Sequence, residues 1–219
     1  MRRLFRIGPL GLALAFATAA HAQDDPRWFL RGGPAFANFD ASARVKLGGA
    51  PVAGGDASVK NNTGFEAEAG YFLSPRWSVA LAIGIPPTAR IDGAGTLAAA
   101  GKLGTAKYGP SVLSLQYNVE TASAWKPYLG IGLNYTLVYH VRDSSIRDLH
   151  VSNGYGPTAQ AGTEVRLNRH FSWFFDAKKV WVRVNAYGTA DGPGGALPAR
   201  ARVTLNPVIL NSGLSWHFR

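Results

Sequence analysis

The chain has 219 residues, no cysteine and a formal net charge of +10. Without cysteine it can form no disulfide or thiolate metal site and offers no thiol nucleophile. Its basic residues are dispersed rather than blocked, which argues against nucleic acid as a partner and fits either anionic lipopolysaccharide, the periplasmic leaflet or solvated loops.

At the N-terminus Arg2, Arg3 and Arg6 precede an apolar run from Ile7 to Ala20, and the run closes on Ala20, His21 and Ala22. That succession of basic, apolar and small-residue regions is a cleaved secretory signal peptide, so residues 1–22 are expected to be removed and residues 23–219 to form one domain. Three of the ten excess positive charges leave with the leader and seven remain. No later window holds the roughly 18 uninterrupted apolar residues of a spanning helix, so a membrane-spanning mature chain has to cross with strands.

Period-two alternation then recurs in segments of about ten residues, the length a tilted strand needs to cross a bilayer. The first segment is Trp28 to Phe39, with irregular parity. In the second, Phe65, Ala67, Ala69 and Tyr71 alternate with Glu66, Glu68 and Gly70. The third sets Trp77, Val79, Leu81, Ile83 and Ile85 against Ser78, Ala80, Ala82 and Gly84. The fourth sets Leu113, Leu115, Tyr117 and Val119 against Ser114, Gln116 and Asn118. The fifth, Tyr128 to Tyr139, is the clearest, with Leu129, Ile131, Leu133, Tyr135 and Leu137 on one face and Gly130, Gly132, Asn134 and Thr136 on the other. The sixth opposes Ala159, Ala161, Thr163, Val165 and Leu167 to Gln160, Gly162, Glu164 and Arg166. The seventh, Ser172 to Val184, is irregular; the eighth sets Val208, Leu210, Leu214, Trp216 and Phe218 against Asn211, Gly213, Ser215 and His217.

Charged groups opposite an apolar face, with aromatics at the strand ends, fit a narrow barrel with a polar lumen and a lipid-facing exterior better than a soluble sandwich. The connections alternate between short ones, such as Leu73 to Arg76, and long Gly-rich ones at 40–62, 88–107, 140–153 and 185–202. The fold predicted is all-β: an eight-stranded antiparallel transmembrane β-barrel of the outer membrane, with short periplasmic turns and long extracellular loops. Trp28, Tyr71, Trp77, Tyr117, Trp173 and Trp216 are expected near one interface, and Tyr139, Tyr155 and Trp181 near the other. Glu66, Glu68, Glu164, Arg166, Asp176 and Lys178 are expected to form a salt-bridged plug in the periplasmic half of the lumen. Lys179 interrupts the lipid face of the seventh strand, which predicts a bulge or register shift there.

The stretches Gly109–Tyr117, Lys126–Thr136 and Leu205–Val208, the last leading to Gly213–Phe218, resemble the outer-membrane protein W (OmpW) family with its alkane-uptake relatives. The segment Pro127-Tyr-Leu-Gly-Ile-Gly-Leu-Asn-Tyr-Thr136 is the most specific. The resemblance implies passive uptake of small hydrophobic molecules through an apolar pocket that is open outside, closed below and drained sideways into the bilayer. It also implies a pocket floor on strands three and seven, where the register places Ala82 and Val180, both small. It implies an aromatic C-terminal signal read by the barrel-assembly machinery, here Trp216 and Phe218, with Arg219 following as a departure. Outer-membrane lipid and lipopolysaccharide, that machinery and a small hydrophobic ligand are the expected partners, with no cofactor, no metal and no catalysis.

One feature of the residues themselves fits a lateral exit. Pro86 and Pro87 end the third strand, Pro110 begins the fourth, and proline cannot donate a ladder hydrogen bond, so pairing should fail there. The alternative is that these prolines simply end strands at the rim. His140, His150, His170 and His217 show no metal spacing. His150 and Ser152 share a strand face as a base and a hydroxyl would, but no orienting acid or oxyanion site accompanies them, so they read as loop residues. The other functional class is a structural or interaction barrel with a packed lumen and surface-contacting loops.

Overall fold

The computed structural model describes residues 26–85, 87–192 and 194–219; the expected leader and Pro86 lie outside them. Among the described residues the strands are β1 Trp28–Asn38, β2 Ser42–Leu47, β3 Ala50–Pro51, β4 Gly55–Val59, β5 Asn62–Phe72, β6 Trp77–Ile85, β7 Thr88–Gly95 and β8 Lys102–Asn118. They continue with β9 Trp125–Asp143, β10 Ile146–Val151, β11 Gly154–Arg166, β12 Phe171–Val180, β13 Arg183–Gly192, β14 Gly195–Thr204 and β15 Val208–Phe218. Eight of them, β1, β5, β6, β8, β9, β11, β12 and β15, pair antiparallel in that order, and β15 pairs back onto β1. The eight-stranded closed barrel expected from the alternation is thus the observed fold.

Closure explains the burial pattern. On β9 the outward residues Leu129, Ile131 and Leu133 are 61, 69 and 69% exposed, as a lipid-facing surface is, while Tyr128, Asn134 and Thr136 of the opposite parity are buried in the lumen. The expected aromatic belt also pairs across strands: Trp28 meets Tyr71 edge-on at 4.8 Å and Trp77 meets Tyr117 at 5.1 Å, both beside the short turns. Those turns are tied locally, as at Asn168, whose Oδ1 accepts the backbone N–H groups of His170 and Phe171, each at 2.9 Å.

Three expectations about the outer half need correction. The long connections are largely strand rather than loop: β2, β4, β7, β10, β13 and β14 carry the wall outward above the bilayer. Alternating small apolar residues within the Gly-rich segments, such as Val45, Ala57, Ala89, Ile91, Val184, Ala201 and Val203, are what allow it, because they can be buried against each other. The seventh spanning strand stops at Val180 instead of Val184. Trp181 N–H donates to the Pro157 carbonyl and Leu205 N–H to that of Val182, both at 3.0 Å, so the chain passes from the β15 ladder to that of β14. Finally, β12 pairs both neighbours without a bulge or register shift. Lys179 sits at its outer end and donates from Nζ to the Asn206 carbonyl at 2.7 Å, so the charge is accommodated by its height.

The closing seam between β1 and β15 depends on close backbone approach. A Cβ on Gly33 would stand 1.9 Å from the Ser212 carbonyl oxygen, whereas one on Gly32 would find ordinary contact at 3.5 Å. Gly33→Ala is therefore expected to lower stability by at least about 1–3 kcal/mol, the range for overpacking, and Gly32→Ala to leave it near wild type. Urea unfolding from lipid vesicles measures the difference, and equal midpoints would show that the seam is not constrained.

Candidate functional site

The lumen is built in layers. At the periplasmic end the rings of Phe29, Phe72 and His217 cluster, with Phe29 to Phe72 at 5.2 Å and Phe72 stacked on His217 at 6.2 Å. Directly above, the inward side chain of Arg31 on β1 crosses the barrel. Its Nε donates to Glu164 on β11 and its Nη1 to Glu68 on β5, both at 2.7 Å, and Nη1 also reaches Gln116 Oε1 at 3.2 Å. The guanidinium lies between the Phe29 and Tyr128 rings, 4.3 and 4.4 Å from their centroids. Glu164 is held further by His217 Nε2 at 2.7 Å and the Ser215 hydroxyl at 3.1 Å.

One layer outward, Lys178 on β12 donates to Glu66 at 2.7 Å and to Asp176 at 2.6 Å, and lies 3.5 Å from Glu68. Asp176 also accepts the Tyr128 hydroxyl at 2.8 Å and Gln160 Nε2 at 2.7 Å, while Asn211 Nδ2 donates to Glu66 at 3.0 Å. Four carboxylates thus share Arg31 and Lys178, and the shortfall in cations is met by neutral donors from facing strands. The arrangement satisfies a buried charged network that an isolated charge could not tolerate. Five residues expected in the lumen, Glu66, Glu68, Glu164, Asp176 and Lys178, are brought together here. Arg166 is not: it is exposed at the inner end of β11, and the guanidinium in the network belongs to Arg31. Sequence reasoning missed Arg31 because β1 looked irregular, although Phe29, Arg31, Gly33, Ala35 and Ala37 do keep inward parity.

Above the charged layers the chemistry changes to a cavity of about 540 Å³ with mainly apolar walls. Glu66, Asn134 and Thr136 meet its base together with Ala35, Ala37, Val180 and Ile209. Of the two expected floor residues, Val180 lines this base, whereas Ala82 is buried lower, opposite Glu68 and Val112, and lies outside the lining. Beneath the base lies the polar network, whose Glu66 reaches the lining. Two apolar collars rise above it, one around Val180, Val182 and Ile209, the other around Val151, Val184 and Val203. In the wall, Tyr108 donates its hydroxyl to Asn62 Oδ1 at 3.0 Å, and the buried Asn62 Nδ2 has no protein acceptor, leaving one donor among apolar surroundings.

Among the described residues the ladder between β6 and β8 runs from Trp77–Tyr117 to Ile83–Ser111. The next pairings described on this side of β8 are a long hydrogen bond of 3.4 Å from Tyr108 N–H to the Pro87 carbonyl and Thr88–Lys107 on β7. Tyr108 and Asn118 both turn their N–H groups toward this side of β8, so Pro110, of the same parity, presents a nitrogen with no hydrogen to β6. Gly84 faces it, and a Cβ there would lie 2.8 Å from Pro110 Cγ. The outer edges of both strands stay paired, β6 with β5 through Phe65–Ile85 and β8 with β9 through Pro110–Thr136. Phe65 and Ile85 project to the lipid side, 44 and 59% exposed, yet also border the cavity. His150 and Ser152, by contrast, engage different partners: His150 stacks on Tyr187 at 4.9 Å, and the Ser152 hydroxyl accepts the Asn185 N–H at 2.9 Å.

A closed eight-stranded barrel with an apolar exterior, an aromatic belt and a polar lower lumen defines an outer-membrane β-barrel protein. The OmpW family model matches residues 27–218, and the chain belongs to that family. It is 33% identical to dibenzothiophene metabolism operon protein PahQ of Pseudomonas aeruginosa, over 92% of this chain and 93% of that one. It is 25% identical to outer membrane protein AlkL of Ectopseudomonas oleovorans, over 80% and 74%. The crystal structure of outer membrane protein OprG from Pseudomonas aeruginosa superposes with a TM-score of 0.81 at 26% identity, covering 89% of this chain and 97% of that one.

Removing either central cation leaves buried carboxylates unpaired, so Arg31→Leu and Lys178→Leu are each expected to cost about 3–5 kcal/mol. Arg166→Gln should leave stability near wild type. Denaturant titration in vesicles, followed by tryptophan fluorescence, distinguishes them; a tolerant Arg31→Leu would mean that the network does not hold the lumen together.

Proposed function

We propose that this protein is a passive conduit for small hydrophobic molecules, which enter the apolar chamber from outside and leave sideways between β6 and β8 into the outer leaflet. The observation that carries the reading is the shared position of Phe65 and Ile85, on the lipid face and at the chamber's border, where the neighbouring ladder is interrupted. A volume of about 540 Å³ suits one small ligand, and the charged layers beneath it would block ions and turn an apolar solute away from the periplasmic end. In that role Glu66, Glu68, Glu164, Asp176, Lys178 and Arg31 act as a plug. The kinship with a dibenzothiophene-operon protein and with AlkL supports apolar cargo. Trp216 and Phe218, stacked at 4.5 Å on the last strand, serve assembly in the same reading.

Vesicles containing the protein should take up a small alkane or aromatic probe faster than empty vesicles; equal rates would remove the conduit and leave a structural barrel. Replacing Pro87 and Pro110 by valine restores two N–H donors at the interrupted ladder. Uptake should then fall toward the empty-vesicle rate without loss of folding, and unchanged uptake would reject the lateral route alone.

A further inference from the structure

The outward faces of β2, β13 and β14 form a shallow groove above the lipid-facing band, across the wall from the chamber, which Tyr187 and Arg200 also border. Its floor consists of two cross-strand rows. Lys46, Arg200 and Tyr187 stand side by side in one, and Arg44, Arg202 and Asn185 in the other. Lys46 is thus directly opposite Arg200 and Arg44 directly opposite Arg202, four exposed cations on two adjacent strands. No aspartate or glutamate lines the groove, and none of the four takes part in an ion pair among the described residues. Elsewhere on the outer strands Arg90 is paired with Asp92 and Arg147 with Asp191, and Lys102, Lys107, Arg142 and Arg183, though in no ion pair among the described residues, stand opposite Asp92, Tyr139, Thr105 and Thr204 and not opposite another cation.

Like charges placed directly opposite each other destabilise a sheet, so this grid is unfavourable unless an anion sits on it. Its height points to which anion. On β12 the outward row is Phe171, Trp173, Phe175 and Ala177, then Lys179; after Trp181 it becomes Arg183, Asn185 and Tyr187 on β13. The apolar band therefore ends just below the grid, at the level of the outer leaflet's headgroups. Arginine forks match phosphate oxygens two at a time, and Arg44, Arg200 and Arg202 supply three of them within one concave surface. We infer that this groove binds the phosphate groups of the phosphorylated glycolipid of the outer leaflet, lipopolysaccharide, through Arg44, Lys46, Arg200 and Arg202.

The test uses the full barrel in detergent micelles, with binding followed by native mass spectrometry. Diphosphoryl lipid A is the probe; the same lipid without its phosphates, inorganic phosphate and a short oligonucleotide are the comparators. The wild type should bind the diphosphoryl lipid at least about tenfold more tightly than the dephosphorylated one. The variant Arg44→Gln/Lys46→Gln/Arg200→Gln/Arg202→Gln should lose that preference, while Arg90→Gln/Arg147→Gln keeps it. In the absence of lipid the quadruple variant should unfold no earlier than wild type, because repulsion has been removed, so lost binding is not lost folding. The inference is overturned if the quadruple variant still prefers the phosphorylated lipid, if inorganic phosphate alone binds as tightly as lipid A, or if the oligonucleotide is preferred.

Discussion

In the hydrocarbon layer there is no water to accept a backbone N–H or donate to a carbonyl, so each spanning strand must find both neighbours in the protein. With eight strands this condition closes the sheet into a cylinder whose interior has room for side chains and little else. The rest of the molecule follows from that narrowness. Side chains of alternate residues converge on one axis, so Arg31 on β1 can touch Glu68 on β5 and Glu164 on β11, although 37 and 133 positions separate them in the chain. A wider barrel would leave the same charges hydrated and apart.

Narrowness also fixes where polarity has to end. A charged network is tolerable in the lumen only where every member finds a partner, and partners are supplied in two tight layers between the ring cluster and Lys178. Beyond Glu66 the inward residues are mostly Ala, Val, Ile and Leu, and a chamber opens between them. The outer strands prolong the barrel past the bilayer, so the chamber is walled by sheet, and its shape is held by backbone ladders instead of by loop packing.

How much of this is readable from the residues depends on whether the alternation is local or collective. On β5, β6, β8, β9 and β15, inward and outward faces follow from apolar and polar residues in strict succession, and the membrane fold follows from their repetition. On β1 the outward series includes Gly32 and Pro34 and the inward series Gly33 and Ala35, so small residues on both faces blur the parity and Arg31 goes unnoticed. Arg166 fails for another reason: parity says which side a residue faces, not at what height, and at the last position of β11 inward means solvent. The outer strands were hidden because their glycines and polar outward residues look like loop composition. Only the placement of their small apolar residues around one cavity makes them sheet.

The two interruptions of simple barrel chemistry lie on opposite sides of the cylinder. Among the described residues the ladder that ends early is between β6 and β8, whereas the cations without an ion pair on β2 and β14 rise from the side where β15, β1 and β12 leave the membrane. That separation has a physical logic. Phosphorylated glycolipid held against the wall is an ordered, anionic neighbour, and an apolar solute emerging beside it would meet charge instead of acyl chain. Fixing such lipid against β2 and β14 would leave the lipid facing Gly84, Ile85 and Pro110 exchangeable. A lateral opening of the kind proposed would work only if the molecules beside it could move aside, so a site that grips glycolipid and a site where the wall parts would have to be different places.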